Sequence, residues 1–339
     1  MPSSPQTDMP TTTAPTTIDD IRAAAGRIAE YAVRTPLLES VHLNEMVGGR
    51  LLIKAEPLQR TGAFKFRGAF NTISQIPEAD RPKGVVTYSS GNHAQGVAHA
   101  AQMLGIPATI IMPSDAPKLK LENTRGYGAE VILYDRANES REEIGARISD
   151  ERGSWLVRPY DDPGVIAGQG TVGLEIAEQV AEQTGGALDQ MAVPVGGGGL
   201  LSGVAIAVKA VFPGANVYAA EPEGFDSMGR SLTAGERVGN IEGATTICDA
   251  LMPAMPGELT FAASQGNVAG GFAVSDAEVR SAMAQAFLRL KLVVEPGGAA
   301  ALASALSGKM DCQGKTSVVV CSGGNVDPAF YADVLNGAA

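Results

Sequence analysis

The chain is predicted to fold as an α/β protein with parallel sheets wrapped by helices, and three observations predict it. Short apolar runs alternate with helical stretches along most of the 339 residues, the pattern of strands joined by helical crossovers. Three glycine-rich or polar loops, Ser89–His93, Gly196–Gly199 and Ser322–Asn325, each follow an apolar run, where α/β proteins bind ligands. Length and a hydrophobic content of 45% with 19% charged residues suit two compact domains or one large one.

The elements follow in order. Residues 1–16, "MPSSPQTDMPTTTAPT", are rich in Pro, Ser and Thr and read as a disordered tail. They have neither the basic start nor the apolar stretch of a secretory signal. Thr17 and Asp20 form a capping box, after which Ile21, Ala24, Ala25, Ile28 and Ala32 recur at helical spacing. "GVVTYSS" is a strand feeding the helix "NHAQGVAHAAQMLG", which Gly105 closes. "PATIIMP" and "GAEVILYD" are strands joined by a helical linker. "QMAVPV" runs into the glycine loop, then the helix "LLSGVAIAVKAVF" and the strand "ANVYAAEPE"; "TSVVVC" is a late buried strand.

Composition excludes several functions. A net charge of −11 without a Lys/Arg cluster argues against nucleic-acid binding. Three cysteines without CxxC spacing and three histidines without HExxH support neither a disulfide framework nor a zinc hydrolase. No apolar run reaches membrane-spanning length, so the expected address is cytoplasmic.

Lys65 lies between Phe64 and Phe66 in an otherwise apolar helical segment. Such a lysine is either a solvent-facing helix residue or a desolvated amine kept for chemistry. Gly196–Gly199 opens a helix after a strand, so its N–H groups can converge on an anion such as a phosphate. A dinucleotide is the rival ligand: GxGxxG fails here, but Glu221 ends the next strand at the distance of a ribose-binding acid. Ser89, Ser90, Asn92 and His93 give one helix start more polar groups than capping needs, which suits a substrate carboxylate.

"RTGAFKFRGA", "SSGNHAQG", "VGGGGLLSG" and "CSGGNVD", in this order, resemble the fold-type II pyridoxal-phosphate enzymes (tryptophan synthase β-like), and among them threonine dehydratases and serine racemases. The resemblance extends from about Ile21 to the C-terminus. It implies a large cofactor-binding domain of residues 17–83 and 161–339 and a small mobile domain of residues 84–160. It also implies a Schiff base between pyridoxal 5'-phosphate and Lys65 flanked by Phe64, a phosphate cradle of Gly196, Gly197, Gly198, Gly199 and Leu200, and ring contacts from Asn92 and Ser322. Small Gly68 and Ala69, on the lysine's helix face, would let the ring approach. Substrate would be held by Ser89, Ser90, Gly91, Asn92, His93 and Arg141, with Ser90 as the acid/base on the face opposite Lys65. Arg141 is equally well explained as a surface charge paired with Glu142 or Glu143. Mg2+ or another cation is implied at Glu221, Phe225 and Ser227, although Ser227 stands where the family carries a second acid and Asp226 comes one residue early. The implied activity is dehydration of a β-hydroxy-α-amino acid such as L-threonine or L-serine to a 2-oxo acid and ammonia, by a homodimer lacking a C-terminal regulatory domain. Racemisation of serine or aspartate and dehydration of 3-hydroxyaspartate are the neighbouring activities.

Overall fold

The structure, a computed structural model, describes residues 15–116 and 118–337. Of the expected tail, all but Pro15 and Thr16 lies outside the described residues. Among the described residues ten strands form two sheets. They are β1 (Leu37–Glu39), β2 (Arg50–Ala55), β3 (Val85–Tyr88), β4 (Ala108–Pro113), β5 (Glu130–Tyr134), β6 (Trp155–Leu156), β7 (Gln190–Pro194), β8 (Asn216–Pro222), β9 (Gly270–Val274) and β10 (Thr316–Cys321).

The larger sheet has the order β1-β2-β10-β7-β8-β9 and the smaller the order β5-β4-β3-β6. Every pairing is parallel except β1 with β2. β10, last in sequence, enters between β2 and β7. The loops after β7 and β10, adjacent strands, therefore open at the same sheet end. Central strands such as β10, buried along Ser317–Cys321, are apolar because helices cover both faces. The helix Pro296–Leu306, buried from Pro296 to Ala305, packs on one face of the larger sheet beside Ala192, Ala220 and Val319. The opposite face carries Leu200, Leu201 and Val204 against Val193 and Val320.

The predicted cap Thr17–Asp20 is present, and Gly105 ends its helix in the left-handed conformation at φ 67°. Between β2 and Lys65 the chain makes a tight turn in which Thr61 has φ 60°, an uncommon conformation for a β-branched residue. It is held by the Asn325 side chain, whose Nδ2 donates to Thr61 O at 2.7 Å. The helix Lys65–Ser74 follows. Its Arg67, fully buried, bonds Glu56 at 2.8 Å and Glu175 at 2.6 Å, and Lys54 joins Glu175 at 2.6 Å. These mutually compensating charges tie β2, the lysine helix and the helix Pro163–Thr184 together. Gly68 does not leave room for a ring, contrary to the sequence expectation. A Cβ there would meet Gln169 Nε2 at 2.4 Å and Val165 O at 2.9 Å, so its smallness serves helix packing, while Ala69 is buried in the apolar cluster with Phe66 and Phe70.

Candidate active site

Lys65 is the first residue of its helix, and Phe64 its N-cap. Phe64 N–H donates to Ser322 O at 3.1 Å, and Ala63 bridges Gly323, so the loop after β10 sets where the lysine begins. The amine reaches across to Pro159, donating to its carbonyl at 2.5 Å, with the Phe64 ring centroid 5.2 Å away. Among the described residues no carboxylate pairs with the ammonium. Burial pushes its pKa down to about 8, which makes the neutral, nucleophilic amine accessible near neutral pH.

Pro159 continues into Tyr160, whose ring covers the glycine loop. A Cβ on Gly197 would lie 2.3 Å from that ring, and one on Gly199 3.1 Å from Tyr160 O. Gly198 has φ 97°, and a Cβ there would strike Met228 and Thr260. The loop is glycine because protein packs against every side of it and because one position is left-handed. Its carbonyl at Gly197 accepts from Thr260 Oγ1 at 2.6 Å and from Gly257 N–H at 3.2 Å. The N–H groups of Gly196, Gly197, Gly198, Gly199 and Leu200, by contrast, have no hydrogen-bond partner among the described residues. Five donors at the start of the helix Gly199–Val211 make an anion site that a phosphate monoester fits.

The Ser89–His93 loop lies at the end of β3. Gly91, not a serine, is the N-cap of the helix Asn92–Leu104, with no side-chain cap bond. Ser89 Oγ accepts Gly91 N–H at 3.2 Å, and the Ser90 hydroxyl makes no hydrogen bond among the described residues. The loop's hydroxyls are thus not used up by capping. His93 is different: it is buried, with Nε2 3.2 Å from Val157 O. Burial, with Lys65 nearby, depresses its pKa to about 3, so it stays neutral and wedges the loop.

Asn92 is held at both ends of its amide. Nδ2 donates to Glu295 Oε1 at 2.5 Å, and Oδ1 accepts from Asn325 Nδ2 at 2.8 Å. Glu295 is the site residue that sequence reasoning missed, as it missed Tyr160. Glu295 is the N-cap of the helix Pro296–Leu306 but gives that helix no side-chain bond. Burial pushes its carboxyl up to about 7, with Asp249 raising it further and Asn92 opposing. An acid between the apolar "LVV" and "PGG" was the available signal. Ser322 is buried directly after β10.

Arg141 starts the helix Arg141–Arg152 and makes the expected pair with Glu142. Its Nε pairs with Glu142 at 2.8 Å, while its guanidinium stands 5.6 Å from the ring centroid of Tyr88, the residue before Ser89. Glu221 is buried at the end of β8, its carboxyl accepting from Met228 N–H and Gly229 N–H and pushed up to about 8 by burial. Bonded in this way, it is not presented to a ribose, and the dinucleotide reading loses its one support. Phe225 and Ser227 follow it, both buried.

The buried Lys65 amine is linked to the glycine loop through Pro159 and Tyr160 and to the Ser322–Asn325 loop that holds Asn92. An amine, five N–H donors unpaired among the described residues and an oriented amide are a donor set that suits pyridoxal phosphate. Comparison with known proteins agrees. The chain is 44% identical over 321 residues to an L-threo-3-hydroxyaspartate ammonia-lyase of Saccharomyces cerevisiae, covering 95% of this chain and 97% of that protein. It is 42% identical over 320 residues to an L-threonine ammonia-lyase of Thermotoga maritima, covering 94% of this chain and 78% of that protein. The solved structure of maize serine racemase superposes with a TM-score of 0.88 at 41% identity, over 96% of this chain and 98% of that one. Residues 28–323 match the family described as "Pyridoxal-phosphate dependent enzyme", and the chain belongs to that family.

Proposed function

We propose that the protein is a pyridoxal-phosphate-dependent ammonia-lyase that converts a β-hydroxy-α-amino acid, such as L-serine or L-threonine, to a 2-oxo acid and ammonia. The observation that carries this reading is the Lys65 amine, buried without a carboxylate partner among the described residues and joined through Pro159 and Tyr160 to the glycine loop with its unpaired donors. Lys65 would bind the cofactor, the N–H groups of Gly196–Gly199 and Leu200 its phosphate, and Asn92 and Ser322 its ring. The bound cofactor supplies an electron sink for the substrate α-carbon.

The chain's residues supply the rest. The Lys65 amine, with a pKa near 8, accepts the α-proton. Ser89 and the free N–H groups at the start of the helix Asn92–Leu104 hold the substrate carboxylate. Phe64 and Tyr160 flank the amine and the glycine loop and keep water from the reacting carbon. Loss of the β-hydroxyl as water leaves an enamine, which hydrolyses to the 2-oxo acid and ammonia. Ser322, a neutral group, would contact the ring nitrogen and give a weaker sink than a carboxylate would, which suits elimination.

A second reading, racemisation of serine or aspartate, is favoured by the hydroxyl of Ser90, which makes no hydrogen bond among the described residues and would act on the face opposite Lys65. Arg141 over Tyr88 would favour a substrate with a second carboxylate, such as 3-hydroxyaspartate. We further propose that residues 84–160 close over the substrate and that the enzyme is a homodimer, its contact including the exposed Phe287, Leu288 and Val293. The described cysteines are free thiols, which suits the cytoplasm. No described helix is long and apolar enough to cross a membrane.

Keto-acid release measured across L-serine, L-threonine, 3-hydroxyaspartate and phenylserine tests the proposal. It predicts turnover of at least one hydroxy amino acid with ammonia formed in equal amount. Interconversion of L- and D-serine without keto-acid release would replace the lyase reading with the racemase one.

A further inference from the structure

The junction at the end of β8 does not fit a divalent cation. A hard cation such as Mg2+ or Ca2+ takes about six or more oxygen ligands, usually with one or two carboxylates among them. Glu221 offers one carboxyl, but both of its oxygens are engaged: Met228 N–H reaches Oε1 at 2.8 Å and Gly229 N–H reaches Oε2 at 2.9 Å. Ser227 offers no charge, and its carbonyl accepts the Ser231 hydroxyl at 2.6 Å. The nearest acid in sequence, Asp226, is directed to Arg230, whose Nε lies 3.3 Å from Oδ1. Among the described residues no three His, Cys, Asp or Glu side chains converge to hold a metal.

Positive charge is nevertheless present. Arg230 is fixed at its other end by donating to Gly239 O at 2.6 Å, and with Glu221, Asp226 and Gly271 it lines one cleft of about 390 Å³. We infer that this junction is closed to divalent cations by its own donors: Arg230 serves Asp226, two main-chain N–H groups serve Glu221, and the enzyme neither binds divalent cations there nor gains stability from them. The helix Ser227–Ala234 is anchored to the end of β8 by these internal donors. Ser227 adds to this by leaving the junction without a second free acid beside Glu221.

Melting of the holoenzyme in Mg2+, Ca2+ or EDTA, together with electron paramagnetic resonance of added Mn2+, tests the inference independently of activity. The wild type is expected to melt at one temperature in all three solutions and to leave Mn2+ free into the low-millimolar range. Ser227→Asp restores an acid beside Glu221 and is expected to bind Mn2+ and to melt higher in Mg2+, reversibly with EDTA. Arg230→Met is expected to melt lower, with no recovery in any divalent cation. Mn2+ bound by the wild type and displaced by Mg2+, with a rise in melting temperature, would overturn the inference. So would a folded Ser227→Asp protein that gains no Mn2+ binding, or rescue of Arg230→Met by Mg2+.

Discussion

Asn92 Nδ2 donates to Glu295 Oε1 across 2.5 Å, and this one bond joins the loop after β3, in the smaller sheet, to the helix packed on the larger one. With Asn325 holding the other end of the amide, Asn92 presents its second Nδ2 hydrogen in a fixed direction. Glu295→Ala should therefore keep the cofactor but lower kcat by up to about 100-fold, the effect of misplacing a group near the chemistry. Unchanged kcat in that variant would make Glu295 a bystander.

The same residue sets a pH dependence. The folded carboxyl titrates near 7, above its ordinary 4.5, so between those values the folded protein keeps a proton that the unfolded chain releases. Its contribution to stability is complete below the ordinary value and is lost as pH rises towards 7. Glu295→Gln should flatten the fall in urea midpoint over that window, and an unaltered profile would assign the slope to other groups.

The glycine loop offers a test by pairs. Because a Cβ at Gly197 points into the Tyr160 ring, Gly197→Ala should weaken cofactor affinity by displacing Tyr160. Combining it with Tyr160→Ala should then cost less than the sum of the two single effects. Additive losses would mean that the Cβ obstructs the phosphate directly.

Ser90 separates elimination from racemisation. A lyase needs one base on the Lys65 face, whereas a racemase needs a second group opposite. Ser90→Ala should retain most elimination from L-serine while solvent proton exchange into D-serine, followed by NMR in heavy water, collapses. Equal loss of both would show that Ser90 holds the carboxylate or shapes the loop.

Much of this was legible in the sequence because each feature has a local cause. The cap at Thr17, the stop at Gly105 and the strands at Val85–Tyr88 and Thr316–Cys321 follow from short-range spacing and apolar runs. The short strands Leu37–Glu39 and Trp155–Leu156 carried no such signal, since neighbours across the sheet decide them. The same holds at the site. Lys65 and the glycines announce themselves by residue type, whereas Glu295 and Tyr160 acquire their places only when distant segments meet. Gly68 shows the converse: its small size predicts room for a ligand, yet it makes room for Gln169, because a helix face seen alone does not show which neighbour will fill it.

The buried charges behind Lys65 provide a stability test. Arg67→Met would leave Glu56 without its ion-pair partner, with only Thr35 Oγ1 donating to it, and removing one member of a buried pair destabilises by about 3–5 kcal/mol. Urea unfolding should register that loss, and a change well below it would show that Lys54 and Thr35 suffice to satisfy Glu56 and Glu175.

The central claim is that Lys65, and no other lysine, carries the cofactor. Lys54 is the internal rival, since it too is fully buried, but its amine is tied to Glu175, Gln179 and Thr35 O. Borohydride reduction of the purified holoenzyme, followed by digestion and mass spectrometry, decides between them. The predicted result is a single phosphopyridoxyl adduct on the peptide containing Lys65, absent from Lys65→Ala. An adduct on Lys54 or elsewhere, or none in a protein that still turns over its substrate, would contradict the account.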